Sequence, residues 1–258
     1  MRLEALSPQN LRQGVFCARG EAGQRMLNRL EEWLKKGILR GQVAFSDQGE
    51  AVGFILYYPI ETAPMEMAGE NIYAIQCVYV RPDQGKKGLG QKLVEAALKD
   101  ARAHGVGGLA VEGFSFPAQG GFEFMPKAFF LDVGFTEIAS RGPASLLFRA
   151  VRGRARRPSH LKASFQPPRG AKRLRIDLLN CERCWVGISN CDIVRRLAES
   201  YGDRVEVHEH DQNTRTAVLR RGMAVGIFLD GENVFFGPPI TEEQAKEELE
   251  RRLKERPE

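Results

Sequence analysis

The sequence predicts an α/β protein in two parts: a larger domain over residues 1–151, a linker over 152–172 and a smaller domain over 173–258. Three observations predict this. The chain of 258 residues is long enough for one large domain or two small ones. Strand-like and helix-like apolar patterns alternate along both halves. Between them, residues 152–172 are rich in Arg, Pro, Ser and Gly and carry no apolar period, the mark of a connector.

In the first half, Ser7-Pro8 resembles a helix N-cap followed by proline at the first helical position. Met26, Leu27, Leu30, Trp33 and Leu34 recur at helical spacing, and Gly37 ends the run. Residues 42–46 and 51–58 read as strands joined through Asp47-Gln48-Gly49. Asn71 to Val80 is apolar on both faces, as in a buried central strand. Leu93, Val94, Ala97, Leu98 and Ala101 form one helical stripe closed by Gly105. A strand at Leu109–Phe114, a short helix from Pro126 to Val133 and a strand at Ser145–Val151 complete the half.

In the second half, Leu174 to Leu179 is a strand and Cys181-Glu182-Arg183-Cys184 leads into a helix reaching about Tyr201. Val205–His210 is a strand. Gly226–Leu229 and Asn233–Phe236 flank the hairpin signal Asp230-Gly231. Thr241-Glu242-Glu243-Gln244 is a capping box opening a last helix.

A hydrophobic fraction of 43% with 28% charged residues suits a globular protein. No apolar run approaches the ~20 residues a membrane helix needs, and the first residues lack a signal-peptide hydrophobic region. A cytoplasmic protein with no membrane partner is therefore expected. The net charge of +5 is concentrated around the linker, from Arg149 to Arg175. Such a run is more often a solvated connector than a nucleic-acid footprint, so no nucleic-acid partner is expected. Nothing in the sequence specifies an oligomeric state.

The step from Val80 to Leu98 carries the chemistry. A buried strand ends at Val80-Arg81-Pro82, a turn rich in Gly and Lys follows, and a helix begins at about Leu89. Gly85, Gly88 and Gly90 let the backbone turn tightly and bring N–H groups to an anion. The helix N-terminus adds its positive dipole end, and Lys86 and Lys87 add charge at the rim. The glycines alone fit an ordinary βα turn equally well.

This segment resembles the acyl-CoA signature of the GNAT superfamily of N-acyltransferases: a strand, V-x-P, an Arg or Gln three residues on, then x-x-G-x-G/A and a helix. Val80, Pro82, Gly88, Leu89 and Gly90 match in register, and the surrounding elements match over residues 1 to about 150. The resemblance implies acetyl-CoA as cofactor. The backbone from Cys77 through Val78 to Val80 would pair with pantetheine, and the loop Gly85-Lys86-Lys87-Gly88-Leu89-Gly90 would hold the pyrophosphate. Two residues depart from the pattern. Gly85 stands at the usual Arg or Gln position, with Gln84 one residue early. Phe130 stands where many members carry the tyrosine that protonates the leaving thiolate.

Acyl transfer to an amine needs a base and N–H donors for the developing oxyanion. The N–H near Val78 is the expected oxyanion donor. Glu112 is the leading candidate base, although a solvated or salt-bridged strand carboxylate fits it too. Tyr73 and Tyr79 could reach the cleft or pack in the core, and Cys77 reads as a small hydrophobe. Loops 59–70 and 113–126 are expected to set acceptor specificity, and Glu61, Glu66 and Glu70 make the first acidic.

The order β-α-β, a connection, then β-β-α is similar to that of a thioredoxin-like domain. Cys181 and Cys184 lie between a strand and a helix, so Cys181 would attack a disulfide and Cys184 resolve it. Semi-buried free thiols are the alternative, and Met223 to Gly226 lacks the proline that thioredoxins place there. Cys181, Cys184, Cys191, His208 and His210 could instead converge on a soft metal. With Asn10-Leu11, Phe16-Cys17 and Ile75-Gln76-Cys77, the whole chain resembles the two-domain YoaP-like N-acetyltransferases. The resemblance implies transfer of an acetyl (acyl) group from acetyl-CoA to an amine on a small molecule or peptide. The alternative is a thiol–disulfide oxidoreductase, or a redox or metal sensor, whose first half only binds CoA.

Overall fold

The structure, a computed structural model, describes residues 1–85, 88–115, 124–152, 154–170, 172–235 and 239–255. Lys86 and Lys87, and residues 116–123 of the expected specificity loop, lie outside the described residues. Internal contacts group Met1–Cys17 with Leu30–Leu161, and Ala18–Arg29 with Lys162–Glu258.

The first group is built on strands β1 (Arg2–Ala5), β2 (Arg40–Phe45), β3 (Ala51–Pro59), β4 (Met67–Glu70), β5 (Ile72–Val80), β6 (Gly108–Phe114), β7 (Thr136–Arg141), β8 (Ala144–Ala150) and β9 (Arg156–His160). Its helices are α1 (Leu11–Gly14), α3 (Leu89–Ala103) and α4 (Lys127–Asp132); α2 (Gly20–Lys35) begins in the stretch grouped with the second unit. Seven strands form one sheet in the order β1-β2-β3-β5-β6-β8-β7. Only the central β5–β6 pair is parallel, because α3 crosses over between those strands. The stripe Leu89, Leu93, Val94, Ala97, Leu98 and Ala101 is buried against Ile55, Tyr57, Tyr73, Ile75 and Val111 of the sheet. Leu93 is fully enclosed, and removing its side chain to Ala would cost about 2–5 kcal/mol.

A polar lock fixes the far end of α3. Asp100 accepts two hydrogen bonds of 2.8 Å from the Arg40 guanidinium and one of 2.9 Å from the Tyr57 hydroxyl. Burial raises the Asp100 carboxyl, but these hydrogen bonds and the adjacent guanidinium outweigh it and hold the group below its usual range.

Several elements differ from the sequence expectation. Ser7 does not cap a helix that starts at Pro8. Ser7 N–H donates to Asn10 Oδ1 at 2.8 Å, closing a turn, and α1 starts only at Leu11 with Asn10 at its N-cap. Strands β1, β4, β7 and β9 carry little apolar alternation, and each forms through its partner. In particular, residues 156–160 of the expected linker are a strand pairing antiparallel with β4, Met67 opposite His160 and Ala68 opposite Ser159. The first group accordingly runs through Leu161.

The second unit contains β10 (Leu174–Asn180), α5 (Trp185–Ser200), β11 (Val205–Asp211), α6 (Arg215–Arg221), β12 (Gly226–Leu229), β13 (Glu232–Phe235) and α7 (Glu242–Lys254). The sheet order is β11-β10-β12-β13, with β10–β11 parallel and the other pairs antiparallel. The hairpin between β12 and β13 turns through Asp230 and Gly231, both at positive φ. Thr241 and Gln244 cap α7 reciprocally, with Thr241 Oγ1 accepting from Gln244 N–H at 3.1 Å and Gln244 Oε1 from Thr241 N–H at 2.9 Å. Leu174, Ile176, Leu178, Cys191, Val194, Ala245 and Leu249 share one apolar core. Among the described residues no helix is long and apolar enough to cross a membrane.

Candidate functional site

The central strand opens into a fork. β5 and β6 pair only from Ile72–Gly108 to Ile75–Val111. Beyond Ile75, β5 stays paired to β3, through Val78 opposite Ile55 and Val80 opposite Gly53, after a register shift near Leu56. Its residues change from buried to half-buried at Gln76. A strand expected to be buried along its whole length is thus half open, because its β6-side backbone has lost its neighbour. Val78 N–H points into the gap and donates to Met125 Sδ at 3.2 Å, a weak acceptor. Met125 itself has φ 47, a strained backbone for a non-glycine residue. Its carbonyl accepts Phe114 N–H at 2.9 Å, so it is tied to the β6 side of the fork.

At the open end of β5, Arg81 leads into a 3-10 turn over Pro82–Gln84. Gly85 is extended at φ −62, ψ 161, and Gly88 takes the left-handed conformation at φ 71, ψ 9 as the N-cap of α3. Among the described residues no side chain caps this end and no acidic residue occupies its first turn, which leaves it suited to an anion. A Cβ on Gly90 would lie 3.1 Å from the Phe129 ring, so glycine there lets α4 pack against the first turn of α3. Lys86 and Lys87, expected at the rim, lie outside the described residues.

Glu112 is the first β6 residue past the last β5–β6 pair. By strand alternation it faces away from Val111, which packs on the α3 side. Its carboxylate is mostly enclosed, with 13% of the side chain exposed, and Oε1 lies 3.2 Å from Nδ1 of His160, itself 12% exposed. Arg141 approaches the same oxygen at 4.0 Å. The His160 contact is of ion-pair length but not of hydrogen-bond geometry. Glu112 Oε1 and both ring nitrogens of His160 are buried without a hydrogen-bond partner. Sequence reasoning missed His160, which sits in the stretch read as linker; an isolated histidine among arginines and prolines carries no periodic signal.

Other candidates are placed elsewhere. Tyr73 is buried against Tyr57 with the Arg40 guanidinium over its ring, a packing role. Tyr79 lies half-buried with Phe16 and Phe54 in an aromatic cluster, and Cys77 is half-buried opposite Leu56. The acidic loop is largely engaged. Glu61 accepts Asn71 N–H at 2.7 Å, Glu66 is buried, and Glu70 pairs opposite Arg156.

Residues 16–120 match the Acetyltransferase (GNAT) family. This segment is a GNAT acetyltransferase domain. It contains the fork, the Gly88 turn and Glu112, but not His160. Among solved structures, the chain is similar to PaiA N-acetyltransferase from Thermoplasma acidophilum in complex with coenzyme A, at 17% identity over 58% of this chain and 99% of that one, TM-score 0.42. It is likewise similar to the GNAT family N-acetyltransferase YhbS from Escherichia coli in complex with CoA, at 16% identity over 58% and 81%, TM-score 0.43. An aminoglycoside 6'-N-acetyltransferase complexed with coenzyme A is 13% identical over 60% and 99%, TM-score 0.43. No curated protein matches the chain.

Phe130 of α4, beyond the matched segment, is fully buried, with the Phe129 and Phe135 rings edge-on at 5.0 and 5.6 Å. It is a core residue and offers no proton donor.

In the second unit, Cys184, not Cys181, is the N-cap of α5. Burial pushes the Cys184 thiol up despite hydrogen bonds from the Val186 and Gly187 backbone. A helix N-terminus that would favour thiolate is outweighed by desolvation. Cys181 and Cys191 are buried, and burial pushes Cys191 up to about 12. The five side chains considered as metal ligands do not converge. His210 Nε2 lies 2.8 Å from the buried Asp177 carboxylate and His208 lies beside Glu206. No group of three or more His, Cys, Asp or Glu side chains that could hold a metal ion occurs among the described residues.

Proposed function

We propose that the first unit is an N-acyltransferase that moves an acetyl (acyl) group from acetyl-CoA to an amine on a small molecule or peptide. The observation that carries this is the fork: a mid-sheet gap beginning at Gln76, with the uncapped, glycine-opened end of α3 beyond it. A gap of this kind accepts an extended ligand as an added strand, and the α3 end accepts its phosphates through backbone N–H groups. Val78 and Val80 would pair with the pantetheine arm, and Gly85, Leu89 and Gly90 would line the pyrophosphate site with Gly88. Lys86 and Lys87 would add charge there. Val78 N–H, released from the Met125 sulfur, would donate to the thioester oxygen as it gains charge. The Glu112 carboxylate would serve as the base side of the site, on the sheet face opposite α3. With Phe130 in the core, the CoA thiolate would leave as such and take its proton from water.

Calorimetric titration of the intact protein with CoA and acetyl-CoA tests this. Binding is expected, and Gly88→Glu, which places a carboxylate at the anion site, abolishes it. No heat with either ligand would overturn the proposal. The second unit we take to be thioredoxin-like, of the YoaP-like kind, on its strand order and its α/β connections. Cys181 and Cys184 remain its candidate pair, although the burial of Cys181 and the raised thiol of half-buried Cys184 do not favour disulfide exchange as its activity. A cytoplasmic location fits free thiols.

A further inference from the structure

We infer that His160 is the residue that takes the proton from the acceptor amine, with Glu112 as the positioning residue that turns its ring. This rests on the acyltransferase proposal and reassigns the base within that site. A buried polar atom without a partner is rare and calls for an occupant. Here three such atoms lie together, Glu112 Oε1, His160 Nδ1 and His160 Nε2; Nδ1 faces Oε1 at ion-pair distance, which leaves Nε2 as the atom that calls for an occupant. The place is the crotch of the fork, since Glu112 directly follows the last β5–β6 pair.

The geometry assigns the two roles. Nδ1 is the ring nitrogen facing the carboxylate, at 3.2 Å. A carboxylate only accepts, so the stable neutral tautomer carries its proton on Nδ1. Nε2 then holds the lone pair, and no donor reaches it among the described residues. A substrate N–H is the donor that completes the arrangement. In the step, an N–H proton of the alkylammonium passes to Nε2, and the neutral nitrogen so freed attacks the thioester carbon. The C–S bond then breaks with the electron pair leaving on sulfur, the nitrogen's surplus proton passes through water to that thiolate, and the imidazolium formed is stabilised by the Glu112 carboxylate.

Among the described residues, these groups face the pair. Arg141 of β7 stands 4.0 Å from Glu112 and offsets its charge. Glu66, buried, precedes β4, whose Met67 pairs opposite His160. Gln76 of β5 accepts the Tyr58 hydroxyl. His160 reaches this point only because β9 pairs with β4, outside the segment that matches the family.

Two measurements on the full chain test this. The chain has four histidines, so long-range proton–nitrogen spectra of nitrogen-15 histidine-labelled protein resolve each ring, and loss of one signal set in His160→Gln assigns it. The expected result is an Nδ1–H tautomer for His160 that shifts toward Nε2–H in Glu112→Gln. An Nε2–H tautomer in the unmodified protein overturns the inference without recourse to a variant. The second measurement is thiol release from acetyl-CoA with a panel of primary alkylamines and anilines. His160→Gln should lower kcat with alkylamines on the order of 10²–10⁴-fold at unchanged KM for acetyl-CoA, and far less with anilines, which are already neutral at pH 7. Equal losses with both amine classes, or none, overturn the inference. If the unmodified protein binds CoA but acetylates no amine in the panel, the acyltransferase proposal and this one fall together; if it turns over and His160→Gln matches it, only this one falls.

Discussion

Gly88→Ala isolates the backbone conformation at the α3 end from every side-chain effect. Gly88 has φ 71 and ψ 9, and a Cβ built there meets nothing within 4 Å among the described residues. The substitution therefore creates no clash, and its cost is the left-handed strain of an L-residue, about 1–2 kcal/mol. That strain must appear in one of two places. If the ligand-free turn keeps its shape, stability falls by the full amount, a drop in Tm of roughly 2–8 °C for a domain of this size. If the turn relaxes, stability is kept and CoA must reimpose the shape, which weakens Kd up to roughly tenfold per 1.4 kcal/mol. The two losses sum to the strain however it divides. Gly88→Asn, which tolerates this region, should recover most of it. Gly85→Ala should bind CoA nearly as the unmodified protein does, because Gly85 is extended and, among the described residues, its Cβ would meet the Pro82 carbonyl alone, at 3.2 Å. Paired thermal unfolding and calorimetric titration read both quantities. A summed loss in Gly88→Ala below about 0.5 kcal/mol, the usual effect of an inert surface change, refutes the role given to this turn, as does a Gly88→Asn no better than Gly88→Ala.

Phe130→Tyr buries a hydroxyl among the Phe129 and Phe135 rings and should cost about 1–3 kcal/mol in urea unfolding; unchanged stability would mean that the hydroxyl has found a polar outlet. The Asp100 lock makes stability depend on acid. The folded carboxyl lies below its usual range, so its contribution is present above the unfolded pKa and lost as pH falls through the folded one. Asp100→Asn should flatten the fall in Tm below about pH 4, the ordinary range of an aspartate; an acid limb identical to that of the unmodified protein would contradict the account. The upward-shifted thiol of half-buried Cys184 predicts slow labelling by a thiol reagent at pH 7, accelerated by denaturant; prompt labelling of Cys184 in the folded chain, read by mass spectrometry, would contradict it.

The parts of the fold that the sequence makes legible are those that bury a face. The α3 stripe from Leu89 to Ala101 is periodic because one side of that helix meets the sheet, and the Thr241–Gln244 box is legible because capping is local chemistry. Glu112 shows as a carboxylate in an apolar strand. The fork is harder to read. Ile72 to Val80 is apolar throughout, and nothing in those residues says that β6 parts from β5 after Ile75. β4 and β9 are short and polar, and only their pairing with each other, across some ninety positions of chain, makes them strands. His160 is illegible for the same reason, since its meeting with Glu112 is a product of that long-range pairing. At α5, the motif shows the two cysteines but not their different exposure, Cys181 buried and Cys184 half-buried, which depends on what packs over the helix start.

The gap between β5 and β6 has a consequence for the protein when no ligand is bound. A sheet normally has two edges, and both can template the addition of a foreign strand. Here the parting of β5 and β6 adds inner edges in the middle of the sheet, flanked by apolar residues such as Val78 and Val80. Met125, held in an unfavourable backbone conformation and bonded to Val78 N–H through its sulfur, acts as a stopper against intermolecular pairing. A weak sulfur contact blocks a stray strand yet yields to a proper ligand. Aggregation during concentration or storage is therefore expected to track the occupancy of this slot, and a bound cofactor doubles as a guard of solubility.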